Sequence, residues 1–124
     1  MKNKMLVYIA GKYTAPTKQE IKQNIVIVEE LAKDVLLAGL IPIIPHKICS
    51  FFDLKFEELK HWKHEDWLNR FCLPLLSRCD AILLASNWTE SQGARIEMEF
   101  AIENNIPVYF SIENIILRTA TWLT

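Results

Sequence analysis

Hydrophobic and polar positions follow two rhythms along the chain. Met5 to Ala10 is an unbroken apolar run of strand length that stops at Gly11. A strand apolar on both faces belongs in the middle of a parallel sheet. Ile21, Ile25, Val28, Leu31/Ala32 and Val35 then recur at helical spacing. Thr17 and Glu20 form a capping-box pattern at the start of that helix, and Gly39 is a natural stop after Ala38. Leu40 to Ile44 reads as a second strand. It contains Pro42, which cannot donate a ladder hydrogen bond and so predicts a sheet edge.

Pro45 to Lys60 reads as a loop with an aromatic patch of Phe51, Phe52 and Phe56. A helix is expected from Trp62 to Ser77, bent or split by Pro74. Asp80 to Ala85 is a third buried strand, and a loop from Asn87 to Gly93 leads into a helix ending near Asn104. Either Thr89 or Ser91 can cap it. Ile106 to Phe110 is a fourth strand, and Ser111 to Thr124 a short final helix.

This alternation of strand and helix predicts an α/β fold. We expect a flavodoxin-like, doubly wound parallel sheet of four to five strands in the order 2-1-3-4, with helices on both faces. In that order strand 2 is an edge, as Pro42 requires, and ligands bind beyond the carboxyl ends of the strands near the switch between strands 1 and 3. At 124 residues the chain holds one domain, residues 1–124, with one core.

Composition narrows the class. Hydrophobic residues make up 51% and charged residues 23%, which excludes wholesale disorder. With 14 basic and 15 acidic residues the net charge is −1, which argues against a nucleic-acid partner. No apolar run approaches the length of about 18 residues that a membrane span needs, so no membrane partner is expected. The start at Met1, Lys2, Asn3 and Lys4 carries no secretory cleavage pattern. Cys49, Cys72 and Cys79 are scattered and odd in number, which reads as reduced thiols in a cytoplasmic protein. No cluster has metal-ligand spacing, so neither metal nor cofactor is expected.

The helix after Gly93 holds the most informative residue. At about 100° per residue, Gly93, Ala94, Glu97, Met98, Phe100, Ala101 and Asn104 share one side, while Arg95, Glu99 and Glu103 share the other. Glu97 thus sits on a small apolar face, where a carboxylate is costly unless paired or used. It lies in the early part of the helix, where the dipole favours negative charge. Two readings stand: a carboxylate aimed at a small molecule, or a structural one that pairs with Lys12, Arg70 or Arg95 or merely tops the helix.

Other positions carry similar pairs of readings. Gly11, Lys12, Tyr13 and Thr14 form either a backbone cradle for phosphate or a plain strand-to-helix turn. Ser91 is an N-cap or a donor to an anion at the same helix end. Asn24 reads as a loop anchor. Trp62 and Trp67 read as packing residues, and Trp88 as packing or a platform for a base. His61 and His64 read as surface, and His46 as a contact at the ligand edge.

Taken together, the motifs resemble the nucleoside 2-deoxyribosyltransferase superfamily, especially its small phage and bacterial members of unassigned function. The residues that carry the resemblance are Tyr8-Ile9-Ala10-Gly11, Asn24, Gly39 with Pro42 and Pro45, Cys79-Asp80-Ala81-Ile82, and Trp88, Ser91, Gly93, Ala94 and Glu97. They span about residues 5 to 110.

The resemblance implies that Glu97 is a nucleophile that attacks C1′ of a (deoxy)ribose and cleaves an N-glycosidic bond. It places Tyr8 near the ring and has Gly11, Lys12, Tyr13, Ser91 and Gly93 form the phosphate and sugar side. It also implies a nucleotide or nucleoside as partner and a homo-oligomeric assembly. The nucleotide hydrolases of the superfamily carry a serine six positions before the nucleophile, where this chain has Ser91. That favours a nucleoside 5′-monophosphate and hydrolysis over transfer. Two positions depart from the pattern. Cys72 stands where the superfamily carries an aspartate that serves the leaving base, and Lys12 replaces a proline. The first departure keeps a catalytically silent nucleotide-binding module as the alternative.

Overall fold

A computed structural model describes the backbone of residues 4–123 and the side chains of residues 4–118. Met1, Lys2 and Asn3, and with them the expected lead-in to the first strand, lie outside the described residues, as does Thr124.

Four parallel strands form one sheet: β1 (Leu6–Ala10), β2 (Ile41–Ile43), β3 (Ala81–Leu84) and β4 (Val108–Tyr109). Their order is β2-β1-β3-β4, as the hydrophobic pattern predicts. Pro42 pairs with Val7. Ile41 N donates to Met5 O at 3.0 Å. Successive strand amides point to opposite sides, so the nitrogen of Pro42 faces the open edge, where no donor is needed. Leu6 N donates to Asp80 Oδ2 at 2.7 Å, which ties the start of β3 to β1.

β1 splits the core in two by its alternation. Val7 and Ile9 pack with Val28, Ala32 and Val35 of α1 (Lys18–Leu37) and with Ile115 of α6 (Ile112–Leu123). Tyr8 and Ala10 face the opposite layer, with Leu68, Cys72, Leu76, Ala94 and Ala101.

The caps are local chemistry. Thr17 Oγ1 accepts from Glu20 N at 3.2 Å. At the other end of α1, Gly39 adopts φ +84°, Gly39 N bonds to Leu36 O and Leu40 N to Val35 O. This pair of bonds is the Schellman closure that a left-handed residue permits. Asn105, at φ 59°, closes α5 (Gln92–Glu103) in the same way.

One expectation needs correction, and a second, the helix split by Pro74, takes a specific form. Residues Pro45–Lys55 form a helix, α2, and not a loop. Pro45 occupies the first turn, where its missing N–H costs nothing and its fixed φ suits the helix. The expected helix from Trp62 to Ser77 is three pieces: α3 (His64–Trp67), a π-helical turn (Leu68–Cys72) and α4 (Leu73–Leu76). Leu73 N bonds to Leu68 O, five residues back. The wider turn accommodates Pro74, which has no N–H for Arg70 O and whose ring would crowd that carbonyl.

Candidate functional site

Glu97 lies on the inward face of α5 and is 3% exposed. None of the three cations proposed as its partner holds it. Lys12 Nζ lies 3.5 Å from Glu90 Oε1, the Arg70 guanidinium stacks 4.0 Å from the Trp62 ring centre, and Arg95 is exposed. Its partner is the phenol of Tyr8, fully buried on β1, which donates to Oε2. Burial pushes the Glu97 carboxyl up to about 8, against the lowering effect of the Tyr8 bond. Desolvation outweighs that bond, and the neighbouring Cys72 adds to the rise. Burial, and then the neighbouring Glu97, hold the Tyr8 phenol well above its ordinary value, so it stays a donor.

Beside Glu97 is a cavity of about 310 Å³. That is the lower end of the size range for small-molecule sites. Tyr13, His46, Cys49, Cys72, Ser91 and Gly93 line it together with Glu97, and so do Trp62, His64 and Trp67. His46 sits in the first turn of α2, with Nε2 3.1 Å from Gly11 O. A carbonyl only accepts, so Nε2 carries the hydrogen. The imidazole stacks on Tyr13 with centroids 5.1 Å apart, and burial lowers its proton affinity, keeping it neutral. The two tryptophan rings lie 4.8 Å apart and form an aromatic wall.

Two asparagines hold the loop after β1. Asn87 Oδ1 accepts from Lys12 N at 3.0 Å, and Asn87 Nδ2 donates to Asn24 Oδ1 at 3.2 Å. Asn24 Nδ2 in turn donates to Tyr13 O at 3.2 Å. Asn24 is therefore the loop anchor expected of it. Asn87 is not among the expected site residues, although a polar residue three positions past β3, at the ligand edge, is a usable signal.

Ser91, not Thr89, caps α5: its Oγ accepts from Ala94 N at 3.1 Å. It does so at the cavity wall. Gly93 is close-packed under His64, since a Cβ there would stand 3.1 Å from His64 Cε1.

Three expected contacts fall elsewhere. Gly11 is packed, not lining: an added Cβ would lie 2.8 Å from Ala85 Cβ. Lys12 borders an adjoining cavity of about 110 Å³, beside Asn24 and Glu29, which shares Tyr13, His46 and Ser50 with the larger one. Trp88 packs on Phe110, with ring centroids 5.7 Å apart. Trp62, Trp67 and His64 take the places at the cavity that were expected of others. Among the described residues no group of three His, Cys, Asp or Glu side chains is placed to hold a metal.

A family model for a domain of unknown function, DUF4406, matches residues 5–110. The chain belongs to this family. The matched span contains all four strands and every cavity residue, and it ends before α6. A comparison with curated proteins gives no match. No helix among the described residues is long and apolar enough to cross a membrane.

Proposed function

We propose that this DUF4406 chain cleaves the N-glycosidic bond of a nucleoside 5′-monophosphate or (deoxy)nucleoside, with Glu97 as the nucleophile. One observation carries the reading: a buried carboxyl group, held by a phenol and ion-paired with no cation among the described residues, faces a cavity of small-molecule size. A buried acid without a counter-charge is expensive to keep. Its position beside a hollow is what a site for a developing cation requires.

With Oε2 held by Tyr8, Oε1 attacks C1′. The C1′–O bond forms as the C1′–N bond breaks, and the base leaves with the bonding pair and takes up a proton. Water then attacks C1′ and releases both the sugar and Glu97. Trp62 and Trp67 offer a stacking wall for the base. Ser91, at the amino end of α5, suits the phosphate end. The resemblance further suggests that the protein acts as a homo-oligomer.

Cys72 favours a second reading, in which the site binds nucleotide without turning it over. A thiol is a poor substitute for a carboxylic acid in protonating a leaving base. The test is incubation with a panel of nucleoside monophosphates and nucleosides, with chromatography of the free base. Release that disappears in Glu97→Gln supports cleavage. Saturable binding without release supports the silent site. The absence of any nucleotide-induced rise in melting temperature overturns both, because a ligand well above its Kd raises stability by RT ln(1 + [L]/Kd).

A further inference from the structure

Two thiols that the proposed chemistry leaves unused meet inside this cavity. Cys49 Sγ, on α2, lies 4.0 Å from Cys72 Sγ, at the end of the π-helical turn. Both line the Glu97 cavity, so a small oxidant can reach them without the protein opening. The two sulfurs come from segments 23 residues apart, on elements with no covalent reason to converge.

We propose that Cys49 and Cys72 are a peroxide-reactive dithiol that closes to an intramolecular disulfide within the cavity. The remaining gap to a bond of about 2.05 Å is about 2 Å. Side-chain rotation and a small shift of α2, half of whose residues are exposed, can cover that distance.

Cys72 is the attacking partner. With Cys49 as the donor of the bond the two sulfurs share, its thiol lowers the proton affinity of Cys72, against the opposing effect of burial. The Cys49 thiol is pushed up by that same bond and by burial, so it keeps its proton. The Cys72 thiolate attacks one peroxide oxygen. The S–O bond forms, the O–O bond breaks, and hydroxide leaves with the proton that Cys72 had shed, as water. The sulfur is oxidised by two electrons and the peroxide is reduced. Cys49 sulfur then attacks Cys72 sulfur: the S–S bond forms, the S–O bond breaks, and the departing hydroxyl takes the Cys49 proton as a second water. A thiol reductant reverses the bond by exchange.

Cys79 is the internal control. It is buried, its Sγ donates to Leu75 O at 3.5 Å, and burial pushes its thiol up to about 11. It should not react.

The thiol chemistry stands apart from the glycosidase reading; only its effect on activity rests on that reading. The bond would tie α2 to the π turn across the cavity and remove the thiol next to Tyr8 and Glu97. Oxidised protein should then lose most of its nucleotide binding or base release and regain it with dithiothreitol.

The test uses the whole chain, reduced and then exposed to hydrogen peroxide. Remaining thiols are alkylated with a maleimide under denaturing conditions, and the intact mass is measured. Reduced protein should take up three maleimides, for its three free thiols. Oxidised protein should take up one, with loss of two hydrogen masses and a Cys49–Cys72 cross-linked peptide. Cys49→Ser should give a dimedone adduct on Cys72 and no disulfide. Cys72→Ser should slow loss of the Cys49 thiol by at least about tenfold. Three maleimides after peroxide, a disulfide that includes Cys79, or a Cys49 thiol lost at the wild-type rate in Cys72→Ser would each overturn the proposal. An intact disulfide in a protein that never releases base leaves the dithiol standing and sinks the glycosidase reading alone.

Discussion

Replacing Glu97 with Gln should stabilise the protein, and the gain should grow with pH. The side chain of Gln has the shape of a protonated carboxyl and can accept the Tyr8 hydrogen bond through its carbonyl oxygen. Glu97 titrates at about 8 in the fold, against an ordinary value of 4.5. Below the ordinary value, folded and unfolded chains both hold the proton, and pH has no leverage through this group. Above it the unfolded chain gives up its proton while the folded chain keeps it. Each pH unit then lowers stability by about 1.36 kcal/mol until the folded carboxyl ionises near 8.

The penalty is therefore about 3 kcal/mol at neutral pH and about 5 kcal/mol at its alkaline plateau. It is a sizeable share of the roughly 5–15 kcal/mol that holds a domain together. Glu97→Gln removes it. Urea denaturation of both proteins at a series of pH values measures the difference, and titrating groups remote from Glu97 cancel in the subtraction. A difference near zero in acid that climbs to a plateau above about pH 8 is expected. A difference that does not change with pH, or a less stable Glu97→Gln protein at neutral pH, would refute the burial argument.

Four further outcomes follow from the same geometry. If Glu97 is the nucleophile it must be ionised, so kcat/KM for base release should rise tenfold per pH unit and level off near 8; a flat profile through that range excludes it. Tyr8→Phe removes the phenol that lowers Glu97, so the pH at which stability stops falling should move upward, with a loss of about 1–3 kcal/mol in denaturant titrations. Gly11→Ala drives a methyl to 2.8 Å from Ala85 Cβ at the junction of the two central strands, which should cost about 1–3 kcal/mol and lower the urea midpoint. Asn87→Ala leaves Lys12 N and the Asn24 amide without their partner, which should cost about 1–3 kcal/mol and increase amide exchange at Lys12.

The parts of the fold that were legible are those whose signal is local or set by burial against the sheet. β1 is apolar throughout because both its faces are covered, and α1 shows its stripe because one side packs on Val7 and Ile9. Glu97 stood out for the same reason: α5 packs through Gly93, Ala94 and Ala101, and a carboxyl among them breaks the pattern. α2 was illegible because its apolar side chains do not form a buried stripe. Phe51 and Leu54 are exposed, and the phenylalanines pack on one another and under Lys55. The cavity wall was illegible for a different reason. Whether Trp62, His64 and Trp67 pack or line depends on how the segment around Pro74 lies over α5, and no local spacing encodes that. His64 shows the point: it is exposed, as its charged sequence neighbours suggest, yet it covers Gly93 at the cavity rim.

On the proposed reading, what makes Glu97 awkward in the free protein makes it useful in the reaction. At neutral pH the empty site carries little charge: Glu97 holds its proton, Tyr8 is a phenol and His46 is neutral. Desolvation penalises a lone carboxylate there, and the same low dielectric strengthens its attraction to a cation a few ångströms away. As the glycosidic bond stretches, positive charge gathers on the sugar next to Oε1, and the balance reverses in favour of the ionised acid. The attraction is greatest when that charge is greatest, so it acts on the transition state more than on the bound substrate. A surface carboxylate paired with Lys or Arg would hold its charge throughout and offer no such contrast. This places the essential feature of the site in the absence of a cationic partner for Glu97, not in the carboxyl group alone. A basic residue introduced beside Tyr8 would stabilise the free protein and weaken the reaction together.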